Sequence, residues 1–212
     1  MPEYSVPALD KAFDILDLLA GSSGALSQTE IADAVGRSIG QVFRVLTALE
    51  ARGWLLRDPV SGLYSFSMAA FDLAHRHPPL RGLLAAATPP MRELSERVRQ
   101  SCNLSVLDMG AVRVIAQVES PADFGYRVRV GALFPLDSAT GTALTSGVAV
   151  RRDDDQQPGI TDLVVPVLAA DGSVRAALTV PYVATTFSTV PVETVLAEAM
   201  AGAQAISDKL RT

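Results

Sequence analysis

The sequence predicts an α+β chain in two parts, an N-terminal winged helix-turn-helix and a C-terminal antiparallel sheet bracketed by helices. Three observations predict it. Leu26–Phe66 reads as two short amphipathic helices meeting at Gly36, followed by two strand-like runs around the turn-forming stretch Asp58–Gly62. Strand candidates at Leu163–Leu168 and Val174–Val180 flank a hairpin signal, Asp171-Gly172. Helical periodicity then returns at the C-terminus, where Val192, Val195, Leu196, Ala199, Ala203, Ile206 and Leu210 share one face.

The 212 residues suffice for one large or two small domains, each able to bury a core. A hydrophobic fraction of 49% with 19% charged residues is a globular balance, the reverse of a disordered one. The apolar runs are short and interrupted, so no membrane span is expected. Met1-Pro2-Glu3-Tyr4 lacks the basic start of a secretory signal, and a cytoplasmic chain is expected. The single cysteine, Cys102, excludes an intrachain disulfide and a multi-cysteine zinc site.

Taken in order, a first helix is predicted over Leu9–Ala20, with Leu9, Ala12, Phe13, Leu16, Leu19 and Ala20 inward. Ser27-Gln28-Thr29-Glu30 is a capping-box pattern that opens the second helix, whose inner side is Ile31, Ala34 and Val35. Gly36 supplies the left-handed residue of a tight turn, and Ser38 can cap the third helix. There Val42, Val45, Leu46 and Leu49 face inward, leaving Gln41, Arg44 and Thr47 on another side. Gly53 stops this helix, and Trp54–Arg57 and Tyr64–Phe66 form the wing. Helix, turn, helix and hairpin in this order form a DNA-binding signature.

The net charge of −5 opposes that reading, and acids outnumber bases even within residues 1–66. However, every basic residue there except Lys11 lies between Arg37 and Arg57, where Glu50 is the only acid. Charge near the phosphates is what releases counterions, so modest affinity and a dependence on pairing two such surfaces are expected. The side chains placed to reach bases are Ser38, Gln41 and Arg44, with Arg57 on the wing; Gln suits adenine and Arg suits guanine. The competing role for Arg44 is an intradomain ion pair.

Further along, Met68, Phe71, Leu73 and Ala74 suggest a connecting helix broken at Pro78-Pro79 and resumed over Leu80–Ala87, with Pro89-Pro90 opening the next helix. The expected boundaries are therefore 1–66 for the winged helix-turn-helix, 67–88 for the linker and 89–212 for the second domain. Strands are predicted at Asn103–Leu107, Val112–Val118 and Tyr126–Val130, with a loop over Leu133–Leu144. No catalytic constellation emerges. His75 and His77 lie two apart and point in different directions on a helix, and no third ligand accompanies them. Asp153-Asp154-Asp155 reads as a solvated acidic loop in preference to a metal site, and Ala139-Thr140-Gly141 lacks the spaced glycines and lysine of a phosphate cradle. No enzyme, cofactor or metal is expected.

The chain resembles the IclR family of bacterial transcriptional regulators. The resemblance rests on Lys11–Leu16, Leu26-Ser27, Val42–Leu55 and Asp58–Tyr64, and continues through Asn103–Asp108, Val118–Pro121, Arg129–Gly131, Pro135-Leu136, Gly141–Leu144 and Gly159–Val180. It implies a C-terminal effector domain related to the small-molecule-sensing GAF fold. It also implies a double-stranded DNA operator, a homodimer or dimer of dimers built through the first helix and the linker, and no membrane partner. The effector residues it implies are the Ala139-Thr140-Gly141 loop with Ile160, Asp162, Thr179 and Pro181; the competing role for these residues is to pack a small closed core. Asp162, Thr179 and Pro181 stand where acid-binding members present a cysteine and serines, so a glyoxylate- or pyruvate-like effector is disfavoured. Two departures matter. Ser38-Ile39-Gly40-Gln41 replaces a Pro-Lys-Ser-Thr-like helix start, and only Thr145–Pro158 stands where the family usually has several tens of residues. A C-terminal domain that serves assembly alone is the alternative function.

Overall fold

The computed structural model describes residues 6–123, 125–184 and 190–211. It divides into two units, one ending at Pro78 and the other beginning at Pro79. In the first, α1 (Pro7–Gly21), α2 (Gln28–Ala34) and α3 (Ile39–Ala51) enclose a core of Ile15, Leu19, Ile31, Val42, Leu46 and Leu49, closed by Leu55 and Tyr64 of the hairpin. The capping box forms: Ser27 Oγ accepts from the Glu30 amide at 3.2 Å, and Glu30 Oε2 accepts from the Ser27 amide at 2.7 Å. Gly36 takes φ +62°, the left-handed value that the turn into α3 requires.

The wing consists of β1 (Leu55–Arg57) and β2 (Tyr64–Phe66), paired antiparallel with Leu56 opposite Ser65. Its turn is folded by Asp58, whose carboxylate accepts from the Val60 and Ser61 amides. Leu26 and Tyr64 exchange backbone hydrogen bonds at 2.9 and 2.8 Å, so β2 is fastened to the residue just before the α2 cap. That bridge fixes where the wing stands relative to the helices. In α1 the buried stripe is Ile15 and Leu19, whereas Leu9 and Phe13, expected inside, are 54% and 60% exposed and Ala20 is also exposed. The helix carries two apolar stripes, and a small helical unit has partners for only one.

After α4 (Ala69–Arg76), α5 runs unbroken over Pro78–Val98. The expected helix start at Pro89-Pro90 is therefore not observed: both prolines lie inside α5. Each removes a donor, a cost of roughly 3 kcal/mol in a helix interior, but Leu83, Ala86, Ala87, Pro90, Met91 and Leu94 are all buried along this stretch and hold it in line.

The sheet has the order β5-β4-β3-β8-β7-β6 and is antiparallel throughout. Its strands are β3 (Cys102–Asp108), β4 (Ala111–Val118), β5 (Leu133–Phe134), β6 (Val150–Asp153), β7 (Ile160–Leu168) and β8 (Val174–Val183). Alternation sorts the central strands by face. Leu163, Val165, Val167, Ala176, Leu178 and Val180 join the core that includes α5 and α7 (Val192–Leu210), while Val164 and Ala177 pack with Ala139, Ala143 and Leu144 of α6 (Ala139–Ser146). Tyr126–Val130 is not a strand, because the outer edge of β4 is already taken: Val114 exchanges backbone hydrogen bonds with Gly131 and Ala132, and Arg113 pairs with Leu133. The expected loop over Leu133–Leu144 instead contains β5 and most of α6.

Gly141, inside α6, lies so close to the Leu136 backbone that any Cβ there would collide with the Leu136 carbonyl. Gly141→Ala is expected to destabilise the second unit by about 1–3 kcal/mol, measured as a lower urea midpoint at unchanged slope.

Candidate nucleic-acid interface and ligand cleft

The inward faces of α2 and α3 leave one polar side of α3 free. Ser38 occupies the N-cap position with its carbonyl accepting from the Gln41 and Val42 amides, but its hydroxyl makes no capping bond. Gln41 and Arg44 are exposed, and no ion pair engages Arg44 among the described residues. Arg37 is 3.7 Å from Asp14, so one basic group of this surface is partly neutralised within the fold. Arg57 lies on β1 with its guanidinium carbon 5.4 Å from the centre of the Tyr64 ring, which orients it by a cation–π contact. Ile39 and Phe43, one turn apart on α3, are about half exposed. Sequence reading assigned them no role; an inward-only count of apolar positions hides residues whose exposure suits contact with thymine methyls.

In the second unit a cleft opens on the α6 face of the sheet, at the end where β7 begins. Thr140 from α6, Ile160 and Asp162 from β7 and Thr179 from β8 all line it. Thr140 and Thr179 place their hydroxyls 3.2 Å apart. Ala139 and Gly141 are buried in α6 and do not line the cleft, and Pro181 stands opposite Asp162 in the β7–β8 register without lining it. Residues that the sequence did not single out complete the wall: Asn103 of β3, Ser138 at the α6 cap, and Gln156 and Gln157 of the turn after β6. Tyr126, Val128 and Phe134 form its apolar side. Only the sheet order could bring these together, because Asn103 and Thr179 are neighbours across β3 and β8 yet far apart in the chain. The enclosed space is about 20 Å³, close to the room one water needs.

The acidic run is solvated at two of its three positions, Asp153 and Asp154 being exposed, and departs from the expected loop at Asp155. Asp153 accepts from the Thr161 hydroxyl and Asp154 from the Gly159 amide, each at 2.6 Å. Asp155 turns inward and accepts from the Ala139 amide at 2.8 Å and from Arg152 at 2.9 Å. Burial alone would push its carboxyl up, but these bonds and one from Gln156 outweigh it and hold the group below its ordinary range. Asp162 behaves oppositely: burial first, then the neighbouring Asp155 charge, push it up to about 6 against the opposing pull of Arg152. Cys102 is buried with its thiol pushed up to about 12 by desolvation, which leaves it unreactive as a nucleophile at neutral pH. No group of three His, Cys, Asp or Glu side chains converges as a metal site among the described residues.

Residues 8–59 match the IclR helix-turn-helix domain family, and residues 80–148 match the family described as bacterial transcriptional regulator IclR C-terminal. The HTH-type transcriptional regulator BhcR of Paracoccus denitrificans is 37% identical over 115 residues, covering 54% of this chain and 41% of BhcR. The chain spans about half the length of the curated relatives it matches, 41% and 53% for the first two. Among solved structures, the IclR protein of Thermotoga maritima superposes with TM-score 0.78 at 20% identity, covering 96% of this chain and 98% of that one. An IclR homologue from Microbacterium hydrocarbonoxydans, solved in complex with 4-hydroxybenzoate, gives TM-score 0.77 at 18% identity over 96% and 98% of the two chains.

Asp162 makes stability depend on pH. The folded chain keeps the proton up to about pH 6, whereas an unfolded Asp loses it near pH 4. Stability therefore falls as pH rises from about 4 to 6, and the cost persists above that window. Asp162→Asn is expected to raise stability by about 1–2 kcal/mol at pH 7.5, allowing for partial solvent access, with the gain vanishing below pH 4. Urea titrations of both proteins at the two pH values measure this.

Proposed function

Because the chain belongs to the IclR family of bacterial transcriptional regulators, we propose that it is a cytoplasmic, sequence-specific DNA-binding regulator, with a C-terminal ligand cleft that adjusts DNA binding. The family consists of regulators and not enzymes. The observation that carries the reading is the exposed set of Ser38 at the α3 cap and Gln41 and Arg44 on α3, together with exposed Arg57 on a wing fastened by the Leu26–Tyr64 bridge. Within a duplex, α3 enters the major groove, Gln41 and Arg44 address base edges, and Arg57 addresses phosphate. Residues 1–66 read DNA, 67–88 connect, and 89–212 sense and assemble.

Two copies bind together. A single surface with so few free cations makes few phosphate contacts, and a homodimer or dimer of dimers on repeated half-sites multiplies them. The cleft with Thr140, Ile160, Asp162 and Thr179 is the effector site, and a ligand there changes the placement of paired DNA heads. The Microbacterium homologue's 4-hydroxybenzoate supports a small-molecule effector as the general mode. Assembly alone is the second reading, favoured by the small enclosed volume of the cleft.

Selection of bound duplexes from a random pool tests the function; recovery of no enriched sequence would contradict it. On the selected duplex, Arg44→Ala is expected to weaken binding about 5- to 150-fold per half-site and relax the preference at one base pair. Arg57→Ala is expected to weaken all sequences alike and reduce the salt slope by about 1 per subunit. Fluorescence anisotropy across a salt series separates the two.

A further inference from the structure

Resting on the reading of the cleft as an effector site, we propose that its ligand is a small organic cation, whose ammonium group sits on Asp162 and whose apolar body lies towards Tyr126 and Phe134. The Asp162 residue is 8% exposed, yet no hydrogen bond or ion pair holds its carboxylate among the described residues. Its oxygens are not sealed in the core but open on the cleft, so their hydrogen-bond donors come from whatever fills that cleft, and burial makes a charged donor there the stronger partner.

The cation nearest in the sheet does not supply that donor. Arg152 stands opposite Asp162 in the β6–β7 register, but its guanidinium is committed to the Asp137 carbonyl at 2.6 Å, Asp155 at 2.9 Å and the Thr142 hydroxyl at 3.1 Å. Among the described residues no Lys, Arg or His lines the cleft, and Asp162 is its one carboxylate. An anion would meet a carboxylate with no counter-charge. The α6 N-terminus, which could otherwise attract an anion, is already occupied: Asp155 accepts from the Ala139 amide and Ser138 Oγ from the Gly141 amide. The Thr140 and Thr179 hydroxyls are neutral and can accept from an ammonium group. About 20 Å³ of space beside the polar wall is room for a group the size of one water, as an ammonium is, with the body of the ligand towards Tyr126, Val128 and Phe134.

The charged and titratable groups around Asp162 are Arg152 from β6, Asp155 from the following turn and Tyr126 from the segment before β5; the facing residues of β3 and β8, Asn103 and Thr179, are neutral. Because Asp162 titrates near pH 6, cation binding is expected to be nearly full at pH 7.5 and to fade as the pH falls through about 6.

Fluorine NMR line broadening on the full chain tests the proposal with 4-fluorobenzylammonium, 4-fluorobenzyl alcohol and 4-fluorobenzoate. At pH 7.5 the ammonium compound is expected to bind at least ~10-fold more tightly than the other two, as a charge-assisted contact to a buried partner provides. That preference should disappear in Asp162→Asn and weaken several-fold in the unaltered protein at pH 5.5. Circular dichroism checks that the variant is folded, and the pH comparison needs no variant. Tighter binding of 4-fluorobenzoate would overturn the charge assignment while leaving the cleft a ligand site. Ammonium binding undiminished in Asp162→Asn would also overturn the proposal. Binding by none of the three would overturn the effector reading together with it.

Discussion

The ion pair between Arg152 and Asp155 is the constraint on which the C-terminal site depends. It joins edge strand β6, the turn after it and the first residue of α6, since Asp155 also accepts the Ala139 amide and Arg152 also reaches the Asp137 carbonyl and the Thr142 hydroxyl. The Asp155 side chain is only 10% exposed. Drawing a carboxylate inward is favourable only when its lone pairs are satisfied, and Asp155 accepts from Ala139, Arg152 and Gln156 while Arg152 keeps part of its guanidinium in solvent. The arrangement has a second effect. By committing the Arg152 donors away from Asp162, it leaves that carboxylate without a bonded partner in the wall of the cleft. The short segment between α6 and β7 thus shapes the site and sets its charge.

In the N-terminal unit the equivalent constraint is the Leu26–Tyr64 bridge. Two backbone hydrogen bonds tie β2 to the chain just ahead of the capping box, so the wing and the α2–α3 pair are held as one reading surface. The Arg37–Asp14 contact draws one cation of that surface back into the fold, and Arg57 rests against Tyr64. The remaining positive charge is sparse on an acidic chain. This is the physical basis for proposing that DNA is read by paired copies and that anything altering their spacing alters affinity.

The parts of the fold readable in the sequence are those governed by neighbours in the chain. Ser27 and Glu30 specify the start of α2, Gly36 the turn, Asp58 the wing turn and Asp171-Gly172 the β7–β8 hairpin, all within a few residues. Long-range packing decided the rest. The segment Ala139–Ser146 contains weak helix formers, three threonines and a glycine, and reads as a loop; it is helical because Ala139 and Ala143 pack on Val164 and Ala177 and because Gly141 fits against Leu136. Strand β6, Val-Arg-Arg-Asp, carries the charges of a protected edge and no apolar alternation. The Pro89-Pro90 pair signals a break that tertiary burial overrides. For the cleft, Thr140, Ile160, Asp162 and Thr179 came from family resemblance, whereas Asn103 and Tyr126 required the sheet order and the course of the segment before β5. The orientation of Arg152 could not be read from its position beside three aspartates.

The proposed central mechanism is cooperative reading of DNA by two α3 helices with weak individual contacts. The most direct measurement compares the affinity for duplexes carrying one selected half-site and two half-sites at a series of spacings. The account predicts that two half-sites at one optimal spacing bind at least ~100-fold more tightly than one, with the advantage lost when half a helical turn, about five base pairs, is inserted. Equal affinity for one and two half-sites, independent of spacing, would contradict it.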